Sequence, residues 1–362
     1  MISENYFKNA GLGNILDKVL AGERLSIEDG LTLFNCPDLN ALGALASIYR
    51  RKLHGNKTFY VINRHINYTN ICVNGCLFCA YARKPEENGS FKLSKEDILT
   101  KLEEAPIPPR EVHVVGGCHH DIPLSFFEET FVEIKKRLPQ AVIKSFTAVE
   151  IDHLAIAEGI STTDVLKRLK AAGSEMLTGG GAEIFNPDVR AKICPEKLPG
   201  KEWLRIHGEA HEQGYTTNCT MLYGHVESYA DRVDHLDQLR RQQDISGGFN
   251  CFIPLPFLTE NSRLKIDNPL TGVDELRNMA VSRLMLDNIP HIKAYWVMLG
   301  VKQAQTALHF GADDFDGTVV EEKIGHMAGA KSEQGLSRSE LKQMIVGCGF
   351  TPVERDAAFN EV

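Results

Sequence analysis

No stretch of this 362-residue chain stays apolar for the length of a membrane span. The first nine residues, Met1 to Asn9, are polar and lack the basic flank and apolar run of a secretory signal. The expected location is therefore the cytoplasm, with no membrane partner. There is no long basic run, and the formal net charge is −8. That composition weighs against a nucleic-acid partner, whose phosphates need clustered cations. No internal repeat, low-complexity linker or compositional break divides the chain. What is present suffices for one large core, since 43% of residues are hydrophobic. Nine cysteines in a reducing compartment are not expected to pair as disulfides. Six of them (Cys36, Cys118, Cys194, Cys219, Cys251, Cys348) stand singly and read as small buried hydrophobes. The other three are clustered.

Periodicity organises the rest. Leu12, Ile15, Leu16, Val19 and Leu20 recur at helical spacing. Ser26 with Asp29 reads as a capping box opening a second helix, and Leu42, Leu45, Ala46 and Tyr49 suggest a third. Residues 1–56 are thus expected to form a helical N-terminal extension. From about Thr58 strands and helices alternate. Strands are predicted over 58–66, 111–117, 141–147, 174–178, 215–222, 248–253, 291–298 and 312–315. Between the first two, Ser94 and Asp97 cap a helix that Pro106, Pro108 and Pro109 stop. Eight strands with intervening helices argue for parallel βαβ units closed as a TIM-type (β/α)8 barrel over residues 57–362, with a C-terminal helical segment. An open doubly wound sheet is the structural alternative.

The strongest chemical signal is Asn70-Ile71-Cys72-Val73-Asn74-Gly75-Cys76-Leu77-Phe78-Cys79-Ala80-Tyr81, directly after the first predicted strand. Three thiolates spaced C-x3-C-x2-C can converge on three corners of an iron–sulfur cubane. Asn74-Gly75 suits a tight turn with a left-handed residue, and backbone N–H groups of such a loop can point at the sulfurs. No fourth cysteine follows nearby, whereas an electron-transfer ferredoxin supplies all four ligands. A cubane on three ligands leaves one iron open to an exogenous group. Structural zinc is the alternative and wants four closed ligands. There is no second C-x2-C, so His65, His119 or His120 would have to complete it.

With the aromatic Phe78 before its third cysteine, the motif resembles the radical S-adenosylmethionine (SAM) superfamily. The resemblance implies a [4Fe–4S] cluster on Cys72, Cys76 and Cys79, with the methionine amino and carboxylate groups of SAM on the open iron. It implies reductive cleavage of the sulfonium to a 5′-deoxyadenosyl radical, the electron coming from a flavodoxin- or ferredoxin-like reductant. A radical this reactive needs a closed, water-poor chamber, which a barrel mouth provides.

Other candidates lie near predicted strand ends. Gly116-Gly117 resembles the family's stretch that meets the methionine amino group, although Cys118 stands where many relatives place glutamate. Phe78, Tyr81, Glu183 and Tyr223 are further candidates for SAM contact. Arg64, Lys144, Thr147, Asn218, His225 and Asp314 are candidates for substrate binding. Glu150 and the adjacent pair His119-His120 are candidates for acid/base or positioning roles.

Ordered stretches narrow the resemblance to the radical SAM enzymes of the futalosine route to menaquinone. They include Val115-Gly116-Gly117, Ser145 to Ile151, Gly179 to Ile184, Thr220 to His225, Gly311 to Thr318 and Ala328 to Ala330. Phe146-Thr147-Ala148-Val149-Glu150-Ile151 is similar to the aminofutalosine synthases; the sister cyclases tend to show Phe-Ser-Pro there. His120 departs from an expected proline. The resemblance implies addition of the adenosyl radical to the vinyl carbon of 3-[(1-carboxyvinyl)oxy]benzoate, then rearrangement onto the arene and loss of carbon dioxide. Such a substrate is a dicarboxylate, and Lys144, Arg64 and His119-His120 are the expected clamps. A cyclase of the same branch and a non-catalytic iron–sulfur or zinc module are the competing readings.

Overall fold

The computed structural model describes residues 3–105 and 107–362. Met1 and Ile2 of the N-terminal extension lie outside them, as does Pro106, one of the three expected helix stops. Among the described residues ten strands form: β1 (Lys57–Val61), β2 (Asn63–Asn67), β3 (Glu111–Val115), β4 (Val142–Ser145), β5 (Ser174–Leu177), β6 (Thr216–Tyr223), β7 (Phe249–Pro256), β8 (His291–Ile292), β9 (Asp314–Gly317) and β10 (Thr351–Arg355). Strands β2 to β8 make one parallel sheet in chain order. The sheet curls into an open barrel, as the right-handed twist of successive βαβ units dictates. Its two edges are spanned by β9, which pairs with β1 and touches β8 through a single bridge, Lys293 to Asp314.

The predicted first strand is split at Ile62. Its first half pairs with β9 and β10 and its second half with β3, so one extended segment serves two sheets. The predicted seventh strand shrinks to His291–Ile292, and the chain turns into a short helix, Trp296–Leu299. Apolar composition over 291–298 suits a strand, but burial of the Trp296 indole, whose Nε1 donates to Gly317 O at 2.9 Å, fixes the turn instead. Strand β10 lies outside the ring against β1 and was not predicted.

Four helices, Glu4–Asn9, Gly13–Ala21, Ile27–Asn35 and Leu39–His54, form the N-terminal extension. The Ser26 and Ser94 capping boxes are both present. Leu20 faces away from the core, 55% exposed. The extension is tied down by buried Arg50, which donates to Ala312 O at 3.0 Å and to Thr58 Oγ1 at 2.6 Å. Close packing does the rest: a Cβ on Gly43 would meet the Phe310 ring at 2.5 Å. Within the barrel wall Tyr68, Phe127, Phe131 and Phe146 pack edge-on and tilted. Burying each such ring contributes about 2–3 kcal/mol. Among the described residues no helix is long and apolar enough to cross a membrane.

Candidate active site

The loop after β2 carries Cys72, Cys76 and Cys79 into a cavity of about 320 Å³ that runs from the C-terminal strand ends into the barrel lumen. That size suits a small-molecule chamber. All three thiols line it, together with Phe78, Tyr81, Gly116 and Gly117. Backbone N–H groups are aimed at sulfur: Cys118 N–H donates to Cys72 Sγ and Ala82 N–H to Cys79 Sγ, each at 3.4 Å. The neighbouring Cys118 thiol, then that backbone N–H, pulls Cys72 down to about 5, whereas burial pushes Cys76 up to about 12. The expected left-handed residue at Asn74-Gly75 is not found, as neither has positive φ. Gly75 N–H instead donates to Glu196 Oε2 at 2.9 Å.

Gly117 shows why no side chain fits beside the loop. A Cβ there would stand 2.2 Å from Ile71 O and 3.0 Å from Cys72 Cβ. Cys118, in the glutamate's place, is buried against the loop. A carboxylate does reach the glycine pair, but from the next βα turn. Glu150 Oε1 accepts from Gly116 N–H at 3.0 Å and from Tyr68 Oη–H at 2.9 Å. Its Oε2 closes a capping box with Thr147, the N-cap of helix Ala148–Glu158. Burial raises Glu150 to about 7 against the pull of those hydrogen bonds.

Deeper in the lumen the lining turns polar. His65 on β2, His113 on β3 and Lys144 on β4 are register neighbours on adjacent strands. The two imidazoles stack with centroids 4.4 Å apart. Lys144 Nζ lies 2.6 Å from Glu111 Oε1, one strand period below His113. Thr147 and Asn218 also line the chamber, Asn218 donating to Asn250 Oδ1 at 2.7 Å. Glu183 does too, held in left-handed backbone (φ 50°) and ion-paired to Lys197 at 2.6 Å. Burial in this pair replaces the solvated loop that a strand-end carboxylate otherwise suggests.

Other sequence candidates fall elsewhere. Tyr223 is fully buried behind the wall with Arg232 over its ring at 5.1 Å. His225 is enclosed by Glu227, 2.9 Å away, and Leu222 O. Arg64 turns to Glu321 at 3.4 Å. Asp314 is ion-paired to Arg355 at 2.5 Å beneath the chamber. His119 and His120 stack at 4.7 Å outside the lining, His120 beside exposed Asp121. Lys197, Lys293, Asp316 and Glu322 line the chamber and were missed. Lys293 and Asp316 stand at the ends of the seventh and eighth strands, where position alone pointed to them. Lys197 had no motif to reveal it.

A parallel α/β barrel with three thiols on the loop after its first barrel strand, backbone donors on their sulfurs and a chamber below defines a radical SAM type of enzyme. Residues 66–239 match the Radical SAM superfamily model and residues 246–361 the CofH/MqnC C-terminal region. The chain belongs to the CofH/MqnC family of the radical SAM superfamily, whose members use a [4Fe–4S] cluster and SAM. It is 44% identical to the aminodeoxyfutalosine synthase of Thermus thermophilus, over 96% of this chain and 95% of the relative. It is 39% identical to a 5-amino-6-(D-ribitylamino)uracil–L-tyrosine 4-hydroxyphenyl transferase of Methanopyrus kandleri, over 86% of each chain. Identity to the cyclic dehypoxanthine futalosine synthase of Streptomyces coelicolor is 36%, over 98% and 90%. Among solved structures, methylornithine synthase shares the fold, with TM-score 0.77 at 19% identity, over 95% of this chain and 98% of that one. The residues present fit the cluster: three thiols, two sulfur-directed N–H groups and a glycine whose Cβ would crowd the loop.

Proposed function

We propose that this chain is an aminodeoxyfutalosine synthase. It joins the adenosyl group of SAM to 3-[(1-carboxyvinyl)oxy]benzoate with rearrangement and loss of carbon dioxide, giving 6-amino-6-deoxyfutalosine for menaquinone biosynthesis. The observation that carries this reading is the near-full-length identity of 44% to such a synthase, above the values for relatives with other activities. When bound, the cluster supplies the electron that cleaves SAM, delivered to it by an external one-electron reductant. Cys72, Cys76 and Cys79 would hold it, and Gly116-Gly117 lets the end of β3 pack directly against the cluster loop. Glu150 fixes the Gly116 turn by accepting its N–H. Phe78 and Tyr81 form an apolar wall that keeps water from the reacting atoms. Lys144, in the lumen, meets a substrate carboxylate.

The test is anaerobic reconstitution, then incubation with SAM, reductant and the enolpyruvyl ether of 3-hydroxybenzoate. A covalent adenosyl product by mass and one carbon dioxide released are expected. Free 5′-deoxyadenosine with unchanged ether counts against the synthase and leaves the cyclase as the better reading.

A further inference from the structure

Three lysines line the chamber among the described residues, and each already has a carboxylate: Lys144 with Glu111 at 2.6 Å, Lys197 with Glu183 at 2.6 Å and Lys293 with Asp316 at 2.5 Å. Glu150 and Glu322 add further acidic groups to the lining. A doubly anionic substrate therefore enters a site with no spare positive charge. Placing a carboxylate there without compensation is costly, because burial removes the water that screens it. Either an internal carboxylate gives up its lysine or protons come in with the substrate.

The geometry selects where. Lys293 is held doubly, with Asp314 a further 3.7 Å away. Lys144 has one anionic partner, Glu111, and that partner is poorly held. Glu111 is 1% exposed, its Oε2 has no hydrogen-bond partner, and His113 Nδ1 stands 3.9 Å from its Oε1, too far for a hydrogen bond. Lys144 and His113 face the cavity, whereas Glu111 lies beneath them. The groups facing His113 are His65 on β2, Glu111 on its own strand, Lys144 on β4 and Asp316 on β9, and Glu111 also lies in the fields of Lys293 after β8 and Arg355 on β10.

We infer that a substrate carboxylate binds by proton-coupled exchange: it takes Lys144 from Glu111, and His113 takes a proton from solvent to neutralise the carboxylate left behind. His113 and Glu111 are thus positioning residues that act through Lys144. The inference rests on the dicarboxylate reading of the substrate. In the empty chamber burial holds both stacked imidazoles below their usual range, so the proton is absent before binding. An imidazolium closing on Glu111 is favoured once Lys144 has moved. Binding should then tighten as pH falls. KM should rise up to about tenfold per pH unit between the free-state and the bound-state pKa of His113 and level off above the latter, with kcat at saturation unchanged in that window.

The experiment uses cluster-loaded protein saturated with SAM, without reductant. Titration calorimetry with 3-[(1-carboxyvinyl)oxy]benzoate, in two buffers of different ionisation enthalpy at pH 7, counts protons. About one proton taken up per ether is expected. The uptake should vanish in Glu111→Gln, which needs no compensating charge, and KM in that variant should lose its pH dependence. His113→Gln should also lose the uptake and bind weakly at all pH values. Tight binding of the ether to the unaltered protein with no proton uptake overturns this inference alone. Uptake that survives in both variants overturns it too. Failure of the ether to bind at all sinks the substrate assignment and the inference together.

Discussion

The two ends of this barrel hold similar residue types and use them in opposite ways. At the N-terminal end His54, His291 and Asp313 bring their donor atoms within 4.8 Å of one another. Each is already partnered: His54 Nε2 with Pro290 O at 2.8 Å, His291 Nδ1 with Asp313 Oδ2 at 2.6 Å, and Asp313 Oδ1 with Ile292 N–H at 2.8 Å. The Phe359 ring stacks on His291 at 3.7 Å and shuts the group in. In the lumen above, Glu111, His113 and Lys144 are as deeply placed but loosely partnered, and His113 and Lys144 face open space. Saturated polar groups build architecture, because removing any partner strands a buried charge. Unsaturated ones keep capacity for a ligand. Burial alone does not separate the two.

The sharpest break between the ends is expected from Cys72→Ala. The visible cluster absorption should disappear and activity fall at least 10³-fold, about 4 kcal/mol of barrel function, while thermal unfolding of the cluster-free protein stays near that of the unaltered apoprotein. Full retention of cluster and activity refutes the ligand assignment. Asp313→Ala should do the reverse, costing about 3 kcal/mol in urea unfolding and leaving cluster absorption intact.

The N-terminal end should also be acid-labile. His291, His54 and Arg283 outweigh the burial cost and hold Asp313 down to about 2. A carboxylate lowered on folding contributes stability above its unfolded pKa of about 3.9 and loses it as pH falls toward 2, on the order of 2 kcal/mol. Denaturant midpoints from pH 5 to pH 2.5 should show this drop and lose it in Asp313→Asn; an equal drop in that variant removes the explanation. Thr147→Val should cost about 1 kcal/mol as a lost cap and release Glu150, so activity should fall more than stability does. The smallest effect is expected at Leu20→Lys, within about 0.5 kcal/mol, because that side chain packs against nothing essential.

Much of the fold was legible. Strand-helix alternation placed the seven strands of the curled sheet and β9, although as an open rather than the expected closed eight-stranded barrel, and the Ser26 and Ser94 boxes marked real helix starts. Helix Ala148–Glu158 was readable too, since Thr147-x-x-Glu150 is a capping box, yet Glu150 drew notice as a strand-end acid. Its carboxylate serves both helix start and glycine turn. The seventh strand was overextended because apolar residues of 291–298 fit a strand or a buried short helix equally well. Among chamber residues, Cys72, Cys76, Cys79, Gly116 and Gly117 stood out by spacing. His225, Tyr223 and His119-His120 stood out as well, and the structure places them outside the lining.

Local chemistry in the chain was enough to determine three thiols on one short loop, a glycine pair after a strand and the alternation that makes a barrel, because each depends on neighbours a few residues apart. Which charges would be paired and which left open was decided only on folding. Glu111 and Lys144, or Glu183 and Lys197, come together across strands and loops, and their partners are set by how far the curled sheet closes. No spacing along the chain encodes that distance.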